Sequence, residues 1–456
     1  MSNLRKEHDS LGEINVPKDK LWGSQTQRSL INFNIGKEIV HLELIRGVAA
    51  YKWAAASANC QCKKLDLKRA NLIKKVCEEI IDGKLDEHFP TKAYQAGSGT
   101  QTNMNVNEVI AHRANQIARQ QLIHPNDHCN MSQSTNDVYP TAMNICALWL
   151  VEHELLPAVD NLIASFDKLE KKAMKIIKMG RTHIQDALPI TFGQEVSGWK
   201  HALINTRKMV LNASQSFYET NFGGTAVGTG FGAPKKFDQY GISYLRKILK
   251  NNKFFLTSNK FHGTWSKDAF VYCHGAIKAM ACDLYKIAQD VRFLASGPRS
   301  GFNEIILPSN EPGSSIMPGK VNPTQCEGMS MICTQVMGHD ATITFLASQG
   351  NFELNTFGTI LMQNFIQSVT LFSQMINSFN IHCVKGIVIH EERMDFLVKN
   401  SLMLVTALVP KLGYEKSAYI AKLATKENLT LREAAIMSGY VTAAEYDKIV
   451  DHKKMV

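Results

Sequence analysis

The stretch LLPAVDNLIASFDKLEKKAMKI, residues 155–176, places Leu155, Val159, Leu162, Phe166, Leu169, Ala173 and Ile176 at alternating steps of four and three. On a helix of 3.6 residues per turn, that spacing gathers all seven on one stripe. Gly180 is the predicted stop;.

The same rhythm recurs outward from this segment. Phe192, Val196, Trp199, Leu203, Thr206, Val210, Ala213 and Phe217 form a second stripe. A third runs through Phe270, Cys273, Ile277, Met280, Leu284, Ile287, Val291 and Leu294 and ends before Gly297-Pro298;. Leu361, Phe365, Ser368, Phe372, Met375 and Phe379 make another. Between those two, residues 323–350 open with Pro323, suited to a first helical turn, and carry Met329, Ile332, Val336, Ile343 and Ala347;. About five long helices follow, packed at shallow angles as a bundle.

Met280-Ala281-Cys282 and Ile332-Cys333 place apolar groups on further faces of these helices, which must then be buried on more than one side;. That implies a homo-oligomer with a helical core shared between subunits. Upstream the chain is mixed but mainly helical, with one clear amphipathic helix at Leu72, Ile73, Val76 and Ile80 that ends at Asp82-Gly83. Short helices follow Glu391, one of them over Leu402 to Leu412. The predicted architecture is all-α, with an N-terminal domain over 1–136, a central long-helix bundle over 137–388 and a small C-terminal domain over 389–456.

Composition excludes several classes. Hydrophobic residues make up 45% and charged residues 20% of 456, a globular balance;. The net charge of +10 comes without basic runs longer than pairs such as Lys74-Lys75 and Lys171-Lys172, so a solvated basic surface is expected rather than a nucleic-acid interface;. The N-terminus lacks a signal peptide's apolar stretch, and Ala142–Leu156 is interrupted by Glu152, His153 and Glu154, short of a membrane span;. The ten cysteines include no CxxC pair and no zinc spacing, as expected for reduced thiols of a cytoplasmic protein without a metal site;.

Four polar, glycine-punctuated stretches interrupt the helices. Gly97-Ser98-Gly99-Thr100-Gln101-Thr102-Asn103, with Asn105, Asn107 and Glu108 behind it, lets backbone approach an anion at a helix start, and equally suits an N-cap and turn;. Ser132-Gln133-Ser134-Thr135-Asn136-Asp137 is a second cluster of neutral donors at a helix entry, preceded by His124-Pro125-Asn126-Asp127, which reads on its own as a turn;. Gly180 to Asp186 joins two bundle helices and carries Thr182 and His183; a lone histidine there fits a structural as well as a catalytic role. The most informative stretch is Gly313-Ser314-Ser315-Ile316-Met317-Pro318-Gly319-Lys320-Val321-Asn322-Pro323, whose glycines suit a mobile binding loop;. It is not a nucleotide loop, because Val321 follows Gly319-Lys320; Gly224 to Gly230 has no preceding strand and is not a dinucleotide fingerprint;.

At Gly313–Pro323 the chain resembles the fumarase and aspartase superfamily, and Gly319-Lys320 has the fumarase form where aspartases usually carry alanine. Similarity to class II fumarases extends over essentially the whole chain: Asp9 to Glu13, Trp22 to Thr26, Gly97 to Glu108, Ser132 to Asp137, Gly180 to Asp186, Gly223 to Gly230, Asn351 to Asn355, Ser401 to Leu408 and Leu429 to Ala435. Phe231-Gly232 departs from the usual Leu-Asn.

The resemblance implies a homotetramer with active sites each shared by three subunits, taking a four-carbon dicarboxylate and needing no cofactor. One subunit would bind substrate through Ser98, Gly99, Thr100, Ser134, Thr135 and Asn136, a second would supply Thr182 and His183, and a third Ser314, Ser315, Lys320, Val321 and Asn322. It further implies that Ser314 takes the carbon proton, that His183 paired with Glu327 handles the water, and that His124 to Asp127 form a second, non-catalytic dicarboxylate site. The nearest alternative within the superfamily is an aspartate ammonia-lyase; outside catalysis, it is a silent relative that keeps only the fold.

Overall fold

The computed structural model describes residues 3–456. The chain opens on an antiparallel hairpin, β1 (Leu4–Asp9) and β2 (Gly12–Pro17), in register from Leu4 opposite Pro17 to Asp9 opposite Gly12. Helix α1 (Ser24–Asn32) has no side-chain cap of its own. Its free N–H groups are satisfied instead by Glu108, whose carboxylate accepts from the backbone of Gly23, Gln25 and Thr26 and from the Thr26 hydroxyl at 2.5–3.2 Å;. Glu108, at the end of the first polar stretch, is thus committed to the fold.

Helices α2 (Leu42–Gln61), α3 (Leu67–Ile81), α4 (Thr100–Ala118) and α5 (Thr135–Leu150) follow. The expected amphipathic helix is α3. Its neighbour α2, GVAAYKWAAASAN at its centre, is buried on every side, so it shows no polar face from which a period could be read;. Its small residues permit close approach: a Cβ at Gly47 would lie 2.8 Å from the Ala142 carbonyl oxygen of α5.

Helix α5 begins at a capping box in which Ser134 and Asp137 bond each other's backbone, and it runs through a π-turn at Val151–Leu155 into α6 (Leu156–Ala173);. The continuous helix Thr135–Ala173 is therefore longer than Ala142–Leu156 suggested, and it is long and apolar enough to cross a membrane; yet 67% of its most apolar window is buried inside the protein, as in a core helix.

Beyond α6 the helix does not continue to Gly180 as expected. It stops at Ala173, and the chain forms an antiparallel hairpin, β3 (Ile177–Thr182) and β4 (Gln185–Thr191), with a bulge between Met179 and Arg181. Gly180 belongs to that bulge: a Cβ there would lie 2.7 Å from the Leu188 carbonyl oxygen;. Then come α7 (Phe192–Ser214), α8 (Phe237–Leu249), α9 (Lys260–Trp265), α10 (Asp268–Leu294), α11 (Thr324–Ala347) and α12 (Gly358–His382). Helices α6, α7, α10, α11 and α12 are the five read from the sequence. Short helices α13 (Glu391–Asn400), α14 (Val409–Leu412), α15 (Tyr414–Glu427), α16 (Leu431–Met437) and α17 (Ala443–Ile449) close the chain, and Leu402–Leu408 is 3-10 rather than α.

Two compact units form, with boundaries falling inside the long helices. One comprises residues through Pro157, Lys208–Ala279 and Thr334–Phe372; the other comprises Ala158–Arg207, Met280–Cys333 and Ser373–Val456. Inside the first, Phe217, Phe270 and Phe365 pack at ring separations of 4.9–5.7 Å;. Buried His274 is held between Asp340 at 3.0 Å and Ser368 at 2.9 Å, so this polar core is satisfied;. Inside the second, Phe166 and Phe192 pack on Trp199, whose indole N–H donates to Asp290. Met179 of β3 joins Val398, Leu404, Leu408, Ile420 and Leu431 in a small C-terminal core that anchors the hairpin. All ten cysteines are free thiols, seven of them buried.

Candidate active site

In the first unit, two helix entries carry the candidate carboxylate-binding residues. At the start of α4, Gly99 adopts φ +82 as N-cap, and a Cβ there would strike the Tyr139 ring at 2.3 Å;. Only glycine fits, and the turn it makes brings Ser98 Oγ within 3.0 Å of Thr100 Oγ1. At the start of α5, Asn103 Nδ2 donates to Thr135 Oγ1 at 3.0 Å, while Asn136 Nδ2 donates to the Ala226 carbonyl at 2.8 Å. Asp137 is fully buried and accepts from the backbone N–H groups of Ser134 and Thr225; burial raises its carboxyl to about 6;. It therefore ties the Gly223–Gly230 turn to the α5 entry, while Phe231 beyond it is almost fully exposed. His124 to Asp127 open a π-turn at Pro125–Cys129, where His124 Nδ1 accepts from the Asp127 N–H at 3.2 Å.

In the second unit, the loop before α11 closes on itself. Gly313 N–H donates to the Lys320 carbonyl at 2.9 Å, and Asn322 Nδ2 donates to the Gly313 carbonyl at 2.7 Å. A Cβ on Gly313 would lie 2.5 Å from that Lys320 oxygen, so the closure requires glycine. Ser314 Oγ accepts two backbone N–H groups, from Ile316 at 3.3 Å and Met317 at 3.1 Å. Donors aimed at a hydroxyl oxygen stabilise its deprotonated form, which a serine base needs. Lys320 Nζ reaches Asn322 Oδ1 at 2.7 Å, leaving a cation and an amide in the same loop, and Ser315 and Val321 are exposed. One turn into α11, Glu327 lies 3.9 Å from Arg292.

Thr182 and His183 sit exposed at the tip of the β3–β4 hairpin. His183 and Ile184 both take positive φ, 55 and 62, the pair a tight two-residue turn needs;. A β-branched residue in that region is strained, and such strain collects at functional positions. Beneath the tip, fully buried Glu304 accepts from both Arg181 Nη atoms at 2.9 and 3.0 Å and from Lys178 Nζ at 3.2 Å, with Glu195 on the far side of Lys178. The hairpin is riveted from below while its tip stays open; among the described residues the His183 ring makes no hydrogen bond.

Neither Glu304 nor Lys52 stood out in the sequence. Lys52 lies in α2, essentially unexposed, with Nζ donating to Asn130 Oδ1 at 2.9 Å, and burial lowers its ammonium to about 7;. The available signal was a single lysine inside the alanine-rich run Val48–Ala58, a charge with no polar face to belong to.

This fold and these loops match known proteins along the chain. Residues 12–338 match the lyase family and residues 404–456 the fumarase C C-terminus. The class II fumarate hydratase of Bacillus cereus is 52% identical over 99% of this chain and 98% of its own, and that of Campylobacter jejuni 49% identical over the same shares. A crystal structure of class II fumarase from Schistosoma mansoni superposes with a TM-score of 0.96 at 37% identity, covering 99% of both chains. A helical lyase is the class so defined. Within it, the chain belongs to the class II fumarate hydratase family.

Proposed function

We propose that the protein is a fumarate hydratase, adding water reversibly to fumarate to give (S)-malate, a step of the tricarboxylic acid cycle. Taking a proton from the carbon beside a carboxylate leaves two negative charges on that group, so the step needs fixed donors around it. Lys320 and Asn322 are such donors, and the hydroxyls of Ser98, Thr100, Ser134, Thr135 and Thr182, with Asn136, Ser315 and the Gly99 and Val321 backbone, would hold the carboxylates. Elimination across opposite faces places the base, Ser314, on one side and His183 with Glu327 on the other. The observation that carries the reading is Ser314 Oγ receiving two backbone N–H groups inside a loop that also holds Lys320.

The working unit is a cytoplasmic homotetramer in which three chains complete each site. Exposed apolar side chains on the long helices support it: Met331 and Phe345 stand about two-thirds exposed on α11, fourteen residues apart, with Gly338 facing open space midway. His124, Pro125, Asn126 and Asp127 would form the second dicarboxylate site.

Absorbance of the fumarate produced from malate and, separately, from aspartate tests the reaction. Turnover of malate is expected; turnover of aspartate alone would make the protein an ammonia-lyase, and none of either a silent relative. Ser314→Ala is expected to lower malate turnover by roughly 10²- to 10⁴-fold with the oligomer intact. Near-normal turnover would remove Ser314 from the role of base.

A further inference from the structure

Asn130 Oδ1 is the acceptor for three donors, Lys52 Nζ at 2.9 Å, Asn103 Nδ2 at 3.1 Å and Asn107 Nδ2 at 3.2 Å. An ammonium has hydrogens only, so Asn130 must turn its oxygen toward Lys52; its Nδ2 then faces the Gln133 carbonyl at 3.3 Å;. Facing that oxygen, Asn103 must present its amide hydrogens, and the same Nδ2 reaches Thr135 Oγ1 at 3.0 Å. Thr135 is therefore an acceptor on its protein side. Among the described residues its own proton goes to no acceptor, which leaves it free for a ligand.

We infer that Lys52 is a positioning residue: it fixes the direction of a hydrogen-bond chain through Asn130 and Asn103, so that Thr135 presents its proton to a substrate carboxylate. The inference rests on the reading above of Thr135 as a substrate contact. The chain spans three separate segments, α2, α4 and the loop before α5. Asn59, two turns beyond Lys52 on α2, fixes the same loop by donating to the Met131 carbonyl at 2.9 Å and accepting from Ser132 Oγ at 2.7 Å. Asp137, Cys129 and Cys77 are the titratable groups that face Lys52 from its neighbours.

The test is a pair of double-mutant cycles on KM for malate, run on full-length protein at about pH 6, where the ammonium form is favoured. Lys52→Met is expected to raise KM about 10-fold or more, the effect of losing one charge-assisted hydrogen bond, with kcat changed less than about threefold. Asn103→Asp, isosteric but unable to donate, draws the Thr135 proton inward and is expected to raise KM similarly; it carries the test should the lysine variant not fold. In a Thr135→Val background, either change is expected to move KM by less than about twofold. Equal shifts in both backgrounds, or no shift in the first, would overturn the inference while leaving the activity standing. A wild-type chain inert toward malate would instead overturn the functional reading and this inference with it.

Discussion

A buried lysine and a half-buried serine show how differently single residues declare themselves. Burial favours the neutral form of Lys52 more than water does, lowering its ammonium to about 7 from an ordinary 10.5. A depressed lysine adds stability that is complete above the unfolded value and lost as pH falls through the folded one. Wild type should therefore gain on Lys52→Met, on the order of a few kcal/mol, as pH rises from about 7 to about 10.5. Unfolding of both proteins across that range measures the gap; a gap that stays flat would place Lys52 in a solvated setting. Ser314 and Lys320 were legible in the sequence because a glycine- and proline-punctuated loop concentrates their chemistry in eleven consecutive residues. Lys52 was not, because its partner Asn130, and Asn103 and Thr135 linked through it, come from distant segments that only the fold joins.

Among the elements, the β3–β4 hairpin was the least foreseen. Periodicity located α6, α7, α10, α11 and α12, since each keeps an apolar stripe. It could not foresee α2, apolar all round, or the turn to strand after Ala173, where a bulge built on Gly180 overrides the helical pattern. The buried Glu304, Arg181 and Lys178 group fixes that hairpin and so aims Thr182 and His183. Removing one member of a buried ion-pair group leaves uncompensated charge, at a cost of about 3–5 kcal/mol. Glu304→Ala should lose stability of that order and lower kcat as well, read by chemical denaturation and malate turnover. A loss below about 1 kcal/mol would show the group is solvated, since exposed pairs contribute no more than that.

At the scale of the whole molecule, the candidate residues stand in three places: the α4 and α5 entries, the hairpin tip and the Gly313–Pro323 loop. The tip histidine is open, and Glu327 faces Arg292 within its own chain, which accords with a reaction completed by neighbouring copies. The fold class and family were readable from the chain because stripes and loop motifs are local. The number of chains per site is not local, and it can be measured directly. The Ser314→Ala and His183→Asn proteins, each expected to be inactive alone, can be mixed under conditions that exchange subunits and assayed with malate. If different chains supply the serine and the histidine, some hybrid sites are intact at both positions and activity returns. If each site draws both residues from one chain, no mixture contains an intact site and the activity stays at the level of the separate mutants.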